Sequence, residues 1–447
     1  MLSKISLANF KSFKNLEDLD LRKLTVIAGK NSCGKSSILQ SLLLLKQSLG
    51  AKDKASLVLD GDYLTYSNLQ DISFGKPQIN HSKIGYTFET LSVKGETIKY
   101  CVEFKNKNIN GNYFPRVSKL YKLSNEKKIH LNNIPSDKNT KEFLLNILST
   151  KNGDNDIEFT VGEIKYDAFI PESIDVQVTL ESHELRNFEL PYMALTSFSD
   201  IYPLIKVRES IRKIKYLSPV RATPDRAYVH YSLDADALLH DGSNSAHVLW
   251  SKKEEQVLWK NKKLPLIEAL SECLDCMGLS QQIKPERIGD ILYKVSVSDK
   301  NSKYNLSLAD VGFGYSQILP VILLGLLSNS DSTLLLEQPE IHLHPSSAAN
   351  LADLFLNFIK DGKRIIVETH SPELINRLRL RVIENPKLKD DINIVFVEPS
   401  SEGSTIKQFE IDEDGMFPEW PEGFLDESEK ILRAIMKARL NKANDEW

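Results

Sequence analysis

Gly29-Lys30-Asn31-Ser32-Cys33-Gly34-Lys35-Ser36-Ser37 decides how the 447-residue chain is read. Leu24-Thr-Val-Ile-Ala28 precedes it, an apolar, β-branched run that predicts a buried strand. Ile38 to Leu49 follows and predicts a helix closed by Gly50. Strand, glycine-bounded loop and helix are the context in which G-x-x-x-x-G-K-[ST] becomes a phosphate-binding loop. Backbone N–H groups around Asn31, Ser32, Cys33 and Gly34 would face an anion together with the helix N-terminus, to which Ser37 belongs. Lys35 is expected to reach the β- and γ-phosphates, and Ser36 to ligate Mg²⁺. The chain is therefore expected to bind a nucleoside triphosphate.

Composition narrows the class without naming the task. Apolar residues make up 41% and charged residues 26%, ordinary values for a globular protein of two or three structural units. The net charge of −4 gives no global attraction to nucleic acid, although local basic patches are not excluded by it. Four cysteines form no disulfide framework, so a reducing, cytoplasmic compartment is expected. Cys273 and Cys276 form a lone CxxC, expected to be two cysteines on a helix face rather than a zinc or redox site. Cys33 sits inside the loop, a position where oxidation is conceivable. The N-terminus reaches Lys11 and Lys14 before a signal-type apolar core could form. The longest apolar run, Ile318 to Leu327, is half the length of a membrane span, so no membrane segment is expected.

Texture divides the chain into five segments. Residues 1–75 read as strands, loop and helix, the N-terminal part of an ATPase head. Residues 76–200 alternate polar and apolar with period two, as in KIGYTFET and TIKYCVEF, and predict a β-rich insertion of antiparallel hairpins. Residues 201–300 read as a mixed, partly helical segment, with a helix from Ile201 to Ile214, a largely helical stretch from Ala235 to Gly278 and a strand from Ile291 to Val297. Residues 301–400 return to α/β alternation, with strands at Thr333–Glu337, Arg364–Glu368 and Asn393–Val397 and a helix from Pro345 to Lys360. Residues 401–447 form an acidic, aromatic tail ending in a basic amphipathic stretch, Ser428 to Lys442; Met416, Phe417, Trp420 and Phe424 give it the look of a docking strip, a lid or a tail packed on its own domain. One α/β head is thus assembled from both ends of the chain.

The second half of the nucleotide site follows from the later strands. Glu337 ends three leucines and would emerge at the carboxyl edge of the sheet, where it would hold Mg²⁺. Leu308-Ala-Asp-Val-Gly-Phe-Gly-Tyr-Ser-Gln317 is a glycine-containing turn before an apolar helix. His370, in Glu368-Thr-His-Ser, is placed to hydrogen-bond a γ-phosphate.

The ordered set of Asn9-Phe-Lys-Ser-Phe13, phosphate loop, Gly-containing turn, Glu337-Gln-Pro-Glu340 and Glu368-Thr-His-Ser resembles the ABC-type ATPase heads of the SMC and OLD families. The resemblance covers roughly residues 1–75 and 300–400. It implies an α/β P-loop NTPase that uses ATP and Mg²⁺. It also implies that Lys11 and Ser12 lie near the nucleotide, that Gly312, Gly314, Tyr315 and Ser316 belong to the signature turn, and that His370 is the switch histidine. In these families two heads sandwich two nucleotides, which implies an ATP-held homodimer or higher homo-oligomer. A Mg²⁺-sensing glutamine normally lies between loop and signature; Gln70 is the candidate, since Gln40 and Gln47 lie on the phosphate-loop helix.

One position departs from the pattern. A second carboxylate usually follows the Mg²⁺ acid and polarises the attacking water; here Gln338 stands in its place. A glutamine can orient water but cannot take its proton, and losing a general base costs about 10²–10⁴ in rate. Either Glu340 or His342 substitutes, or hydrolysis is slow and ATP acts largely as a clamp; slow hydrolysis is the favoured alternative. His342 and His344, two apart before a helix, lack the spacing of a helical zinc site. No sustained heptads suit SMC arms, and the segment after the head strands is too short for an OLD nuclease domain. The short insert, the Glu-Gln-Pro-Glu loop and the tail look like small bacterial ATPases paired with a separate nuclease, the Septu anti-phage ATPase and that of the related PARIS system. That resemblance implies an HNH-type nuclease partner restrained until infection. The alternatives are a DNA-repair or recombination ATPase acting directly on nucleic acid, and, least favoured, a transporter subunit. Basic clusters at Lys206–Lys215 and at Arg377, Arg379 and Arg381 could face DNA; Arg221 and Arg226 could contact phosphate.

Overall fold

A computed structural model gives the structure of residues 2–49, 56–92, 94–124, 127–131, 158–179, 185–192, 198–229, 237–279, 281–289, 291–299, 305–417, 430–431 and 433–437. The chain forms two compact units that interleave along the sequence. One comprises Met1–Leu21, Ser36–Ile214 and Ser400–Thr405; the other comprises Arg22–Lys35, Lys215–Pro399 and Ile406–Trp447. The tail residues Trp420 and Phe424 and most of 428–442 lie outside the described residues.

The first unit is built on an antiparallel sheet of six strands, in the order Phe13–Asp20, Lys4–Phe10, Lys83–Leu91, Thr97–Ile109, Asn112–Ser124 and Lys127–His130. Period-two alternation makes it: along Lys83–Leu91, Ile84, Tyr86, Phe88 and Thr90 are buried while their neighbours are not. The N-terminal hairpin, assigned by sequence to the head, is continuous with the insertion sheet, since Lys4 pairs with Glu89 and Ala8 with Gly85. A second, three-stranded antiparallel sheet comprises Leu185–Pro191, Ile170–Thr179 and Glu158–Asp167. The helix Phe198–Arg212 is fastened to the larger sheet through Asp200, whose carbonyl accepts from the Tyr100 hydroxyl and whose carboxylate accepts from Lys122 Nζ at 2.8 Å.

The second unit is α/β. Its sheet runs Ile214–Leu217, Thr333–Glu337, Arg364–Glu368, Leu24–Gly29, Ile392–Ser400 and Gly403–Phe409. The middle four strands are parallel. They read as continuous apolar runs because both faces are covered, and all of Thr333–Glu337 is buried. Glu337 and Glu368 are register partners, and Glu368 is in turn opposite Ile27, so three strands end together at one carboxyl edge. Pro345–Lys360 starts with proline after His344, whose side chain accepts from Ser346 N–H. Pro372–Glu384 is capped by Ser371, which accepts from Leu374 N–H at 3.1 Å. Such caps contribute about 1 kcal/mol each.

The stretch 235–278 is less helical than its apolar content predicts. Helices Ser245–Lys252 and Leu266–Cys276 flank a hairpin, Gln256–Trp259 with Lys262–Pro265. Its two-residue turn, Lys260-Asn261, has positive φ at both positions (50° and 61°), and both amides donate to the Asp361 carboxylate. That distant carboxylate, rather than a glycine, specifies the turn. Cys273 is buried in the core on Leu266–Cys276, and no group of three or more His, Cys, Asp or Glu able to hold a metal occurs among the described residues. Among those residues no helix is long and apolar enough to cross a membrane.

Candidate functional site

At the carboxyl edge of the second unit, Leu24–Gly29 ends in the phosphate loop. Gly29 (φ 146°) and Gly34 (φ 101°) bound it, and Ser32 also has positive φ (61°). Gly29 has no substitute: a Cβ there would overlap the Val397 carbonyl oxygen and stand 2.9 Å from Cys33 Sγ. Asn31 and Ser32 are exposed. Lys35 is buried, and its ammonium donates to the Lys30 carbonyl at 2.7 Å, arching over the loop. A buried ammonium and a glycine-bounded curve form a donor set that suits phosphate. Cys33 is fully buried, and burial above all pushes its thiol pKa up, against the pull of Lys35. Both burial and this upward shift disfavour the thiolate, the form on which oxidation depends.

Glu337 is 8% exposed at the end of its apolar strand. Its Oε1 accepts from the Tyr216 hydroxyl at 2.8 Å, and burial, then the Glu337 charge, push the tyrosine pKa up. A buried carboxylate beside a phosphate loop suits a divalent cation. Gln338 has φ 44°; its N–H donates to the Glu368 carbonyl at 2.8 Å, so the turn is fixed to the neighbouring strand. Glu340 faces the same turn, and its Oε1 accepts from Thr369 Oγ1 at 2.7 Å and from His370 N–H at 2.8 Å. His370 is exposed at the edge; desolvation first, then the Lys35 charge, hold its pKa below the ordinary histidine value.

The signature turn is in the same unit. Gly312 precedes the helix Phe313–Leu327, which holds Gly314, Tyr315 and Ser316 in its first turn. A Cβ on Gly314 would stand 3.2 Å from the His342 carbonyl, so the turn lies against the loop that follows Gln338. Thus Lys35, Glu337, Gln338, Glu340 and His370 share one sheet edge, with the signature turn packed beside the 338–344 loop.

Other expected residues lie in the first unit. Ser36 and Ser37 continue the helix Lys35–Ser48. Lys11 (φ 49°) sits in the hairpin turn, its ammonium on Gln40 Oε1 and 4.6 Å from the Tyr66 ring centre. The Ser12 carbonyl accepts from Ser404 N–H at 2.7 Å. Gln70 is on the short helix Leu69–Ile72, whose Ile72 carbonyl accepts from Lys11 N–H. Its amide reaches toward the Lys76 carbonyl at 3.5 Å.

Sequence reasoning missed two groups. Glu368, 4% exposed, carries the same signal as Glu337, an acid ending an apolar strand. Tyr216 carried no signal. Arg221, read as a phosphate contact, is instead 5% exposed and donates to the carbonyls of Glu337 (3.1 Å) and Gln338 (3.4 Å). Arg226 pairs with Asp310. Arg377 and Arg381 both clasp Asp353, and Arg379 donates to the Gly415 carbonyl, so this basic cluster is engaged within its own unit. Arg208 and Arg212 likewise pair with Asp167 and Glu209.

The glycine-bounded loop, its lysine and the acid ending the parallel strand next but one in the sheet define a P-loop nucleoside triphosphatase. Residues 1–375 match the family model of an AAA ATPase domain, and the chain belongs to that family. Residues 389–435 match a second model, described as a protein of unknown function (DUF3696). The energy-coupling factor transporter ATP-binding protein EcfA of Methanosphaera stadtmanae is 28% identical over 138 residues, 31% of this chain and 44% of that protein. The chain thus spans less than half the length of that curated relative. Solved SMC heads align at 12% identity: a head bound to the C-winged helix domain of ScpA (TM-score 0.42, 92% of this chain, 98% of that one) and that of Thermotoga maritima (0.39, 92% and 99%). A head with an extended coiled coil bound to the C-terminal domain of ScpA from Pyrococcus furiosus aligns at 0.41, covering 97% and 99%.

Proposed function

We propose that this AAA ATPase-family protein is an ATP-held clamp with slow hydrolysis, whose heads dimerise around ATP to scaffold or restrain a separate HNH-type nuclease in anti-phage defence. Gln338 carries the slow-hydrolysis proposal. It stands where a base is expected, and the nearest substitute, Glu340, has one oxygen committed to Thr369 and His370. Lys35 and the loop amides would hold the phosphates. Glu337, steadied by Tyr216, would hold Mg²⁺, which when bound supplies charge neutralisation at the phosphates. Desolvation and then the Lys35 charge favour the neutral form of His370, which would donate one hydrogen bond without adding a second cation beside Lys35.

The nuclease partner rests on the resemblance of the ordered motifs and tail to defence ATPases. Internal pairing of both arginine clusters weakens the alternative of direct action on DNA. Size-exclusion chromatography with Mg²⁺ and ATP is the test, against Lys35→Met as the control. A dimer only in the wild type, retaining a co-expressed neighbouring-gene HNH nuclease, is expected. Wild-type turnover faster than about one per second, within the common enzyme range, sinks the clamp. A nuclease that never co-elutes, with ATP-stimulated and salt-sensitive DNA affinity instead, sinks the partner assignment.

A further inference from the structure

Arg221 is a cation in an unusual place. It is 95% buried, and among the described residues only its Nη2 has a partner, the paired carbonyls of Glu337 and Gln338. Its Nε and Nη1 are buried with no hydrogen-bond partner, and so is Oε2 of Glu340. Glu340 is the opposite charge that acts on Arg221. The two groups therefore share the four-residue turn from Glu337 to Glu340, one bonded to its backbone and the other projecting from its end. Buried charges are costly unless paired or hydrogen-bonded, so this guanidinium is retained for what it holds rather than for packing. Burial pulls its pKa down to about 10, still far above neutrality, so it remains a cation.

The carbonyls it holds matter. Gln338 is in the left-handed region at φ 44°, a conformation a β-carbon-bearing residue adopts only when its surroundings impose it. Two restraints do so: the Gln338 N–H on the Glu368 carbonyl, and Arg221 on the two carbonyls either side of the Gln338 N–Cα–C unit. Tyr216, five residues before Arg221, holds the Glu337 side chain. One short segment, Tyr216 to Arg221, thus fixes both the side chain and the main chain of the Mg²⁺-acid turn.

We propose that Arg221 is a positioning residue for ATP hydrolysis, holding the Glu337–Glu340 turn in its reactive geometry through the carbonyls of Glu337 and Gln338 and the charge of Glu340. This rests on the ATPase assignment of the site. Arg221 acts through the turn: it sets where Gln338 presents its side chain to the attacking water and where Glu340 holds the His370 amide. Both bonds leave one nitrogen, Nη2, at the far end of the side chain; a lysine keeps the charge but ends one bond shorter, so its ammonium falls short of the two carbonyls.

The test measures single-turnover hydrolysis of ATP and affinity for a fluorescent ATP analogue in wild type, Arg221→Lys, Arg221→Gln, Glu340→Gln and Arg221→Gln/Glu340→Gln. The expected result is a fall in rate of about tenfold or more for Arg221→Gln and a smaller fall for Arg221→Lys, with nucleotide affinity within about twofold of wild type, by the scale of a misplaced catalytic group. The double variant should be no slower than the slower single variant, because both act on one turn. If Arg221→Gln does not fold, Arg221→Lys decides alone: a rate equal to wild type overturns the proposal. Equal rates in all variants, affinity falling in step with rate, or multiplicative effects in the double variant also overturn it. A wild type that binds no ATP analogue refutes the ATPase assignment itself. A wild type that binds but never hydrolyses refutes the positioning role while leaving binding intact.

Discussion

Changing Gln338 to Glu is the sharpest perturbation of this site. The substitution is isosteric, and the backbone that carries it is pinned by Glu368 and Arg221, so the chemistry changes while the placement does not. A general base contributes about 10²–10⁴ in rate, or roughly 3–5 kcal/mol of barrier. The opposing effect is crowding by Glu337, Glu340 and Glu368. Lys35 and Arg221 at the same edge offset two of those three charges, and the remaining like charge, ~5–10 Å away at an effective dielectric of ~20, costs roughly 2–3 kcal/mol, which raises a carboxyl pKa by about two units. From an ordinary glutamate value near 4.3 that reaches about 6, so the new carboxylate is still ionised at pH 8 and the gain survives. Single-turnover hydrolysis in Gln338→Glu should therefore rise at least about 100-fold at pH 8, with a rate that falls as pH drops through about 6. The measurement is quenched hydrolysis with protein in excess over labelled ATP, beside nucleotide affinity and melting temperature. A rate within about threefold of wild type, with affinity and melting unchanged, would refute the reasoning and place the base elsewhere, at Glu340 or His342.

Three further outcomes are expected. Gly325 faces the Phe358 ring, which an added Cβ would overlap, so Gly325→Ala should cost about 1–3 kcal/mol in denaturant unfolding; no loss would show that the two helices slide apart freely. For Asp353, burial raises the pKa but hydrogen bonds from Arg381 and Arg377 outweigh it, so its stabilising contribution exists above the ordinary carboxyl value near 3.9 and is lost as pH falls through the lower folded value. Asp353→Asn should cost about 1–2 kcal/mol at pH 7, discounted because both arginines still reach water, and the difference from wild type should shrink in acid. His370 should titrate by NMR below about 6.5, and Lys35→Met should raise that midpoint by removing a neighbouring positive charge; an unchanged midpoint would exclude the coupling.

How far the sequence carried depended on the range of the interaction. The phosphate-loop strand, the Glu337 strand and the helix Pro345–Lys360 were legible because each is coded locally, by β-branched runs, a terminal acid and a proline start. The ordered motifs likewise pointed to an ATPase domain, which the family match over residues 1–375 shows. The hairpin at residues 256–265 was not legible, since its turn is held by Asp361, a hundred positions away. The burial of Arg221 was hidden for the same reason: in the sequence it is a polar residue beside a proline turn, and its partner, the Glu337 carbonyl, lies 116 positions away. Glu368 carries the same local pattern as Glu337, an acid that ends an apolar strand, and is legible by the same rule.

The strand that carries the phosphate loop has a consequence for how the protein is made. Both neighbours of Leu24–Gly29 in the sheet, Arg364–Glu368 and Ile392–Ser400, are translated roughly 340–370 residues later. At ~5–20 residues per second a nascent chain waits about 17–70 s with that apolar strand unpaired on both edges. During that interval the chain holds a complete loop sequence and no nucleotide pocket. The antiparallel strands Lys83–Leu91 to Asn112–Ser124 emerge meanwhile and pair with neighbours close in sequence. Synthesis thus imposes an order in which the antiparallel strands can pair first while the parallel sheet closes only once Ile392–Ser400 has emerged, and a chain stalled before Arg364 would be a client for chaperones.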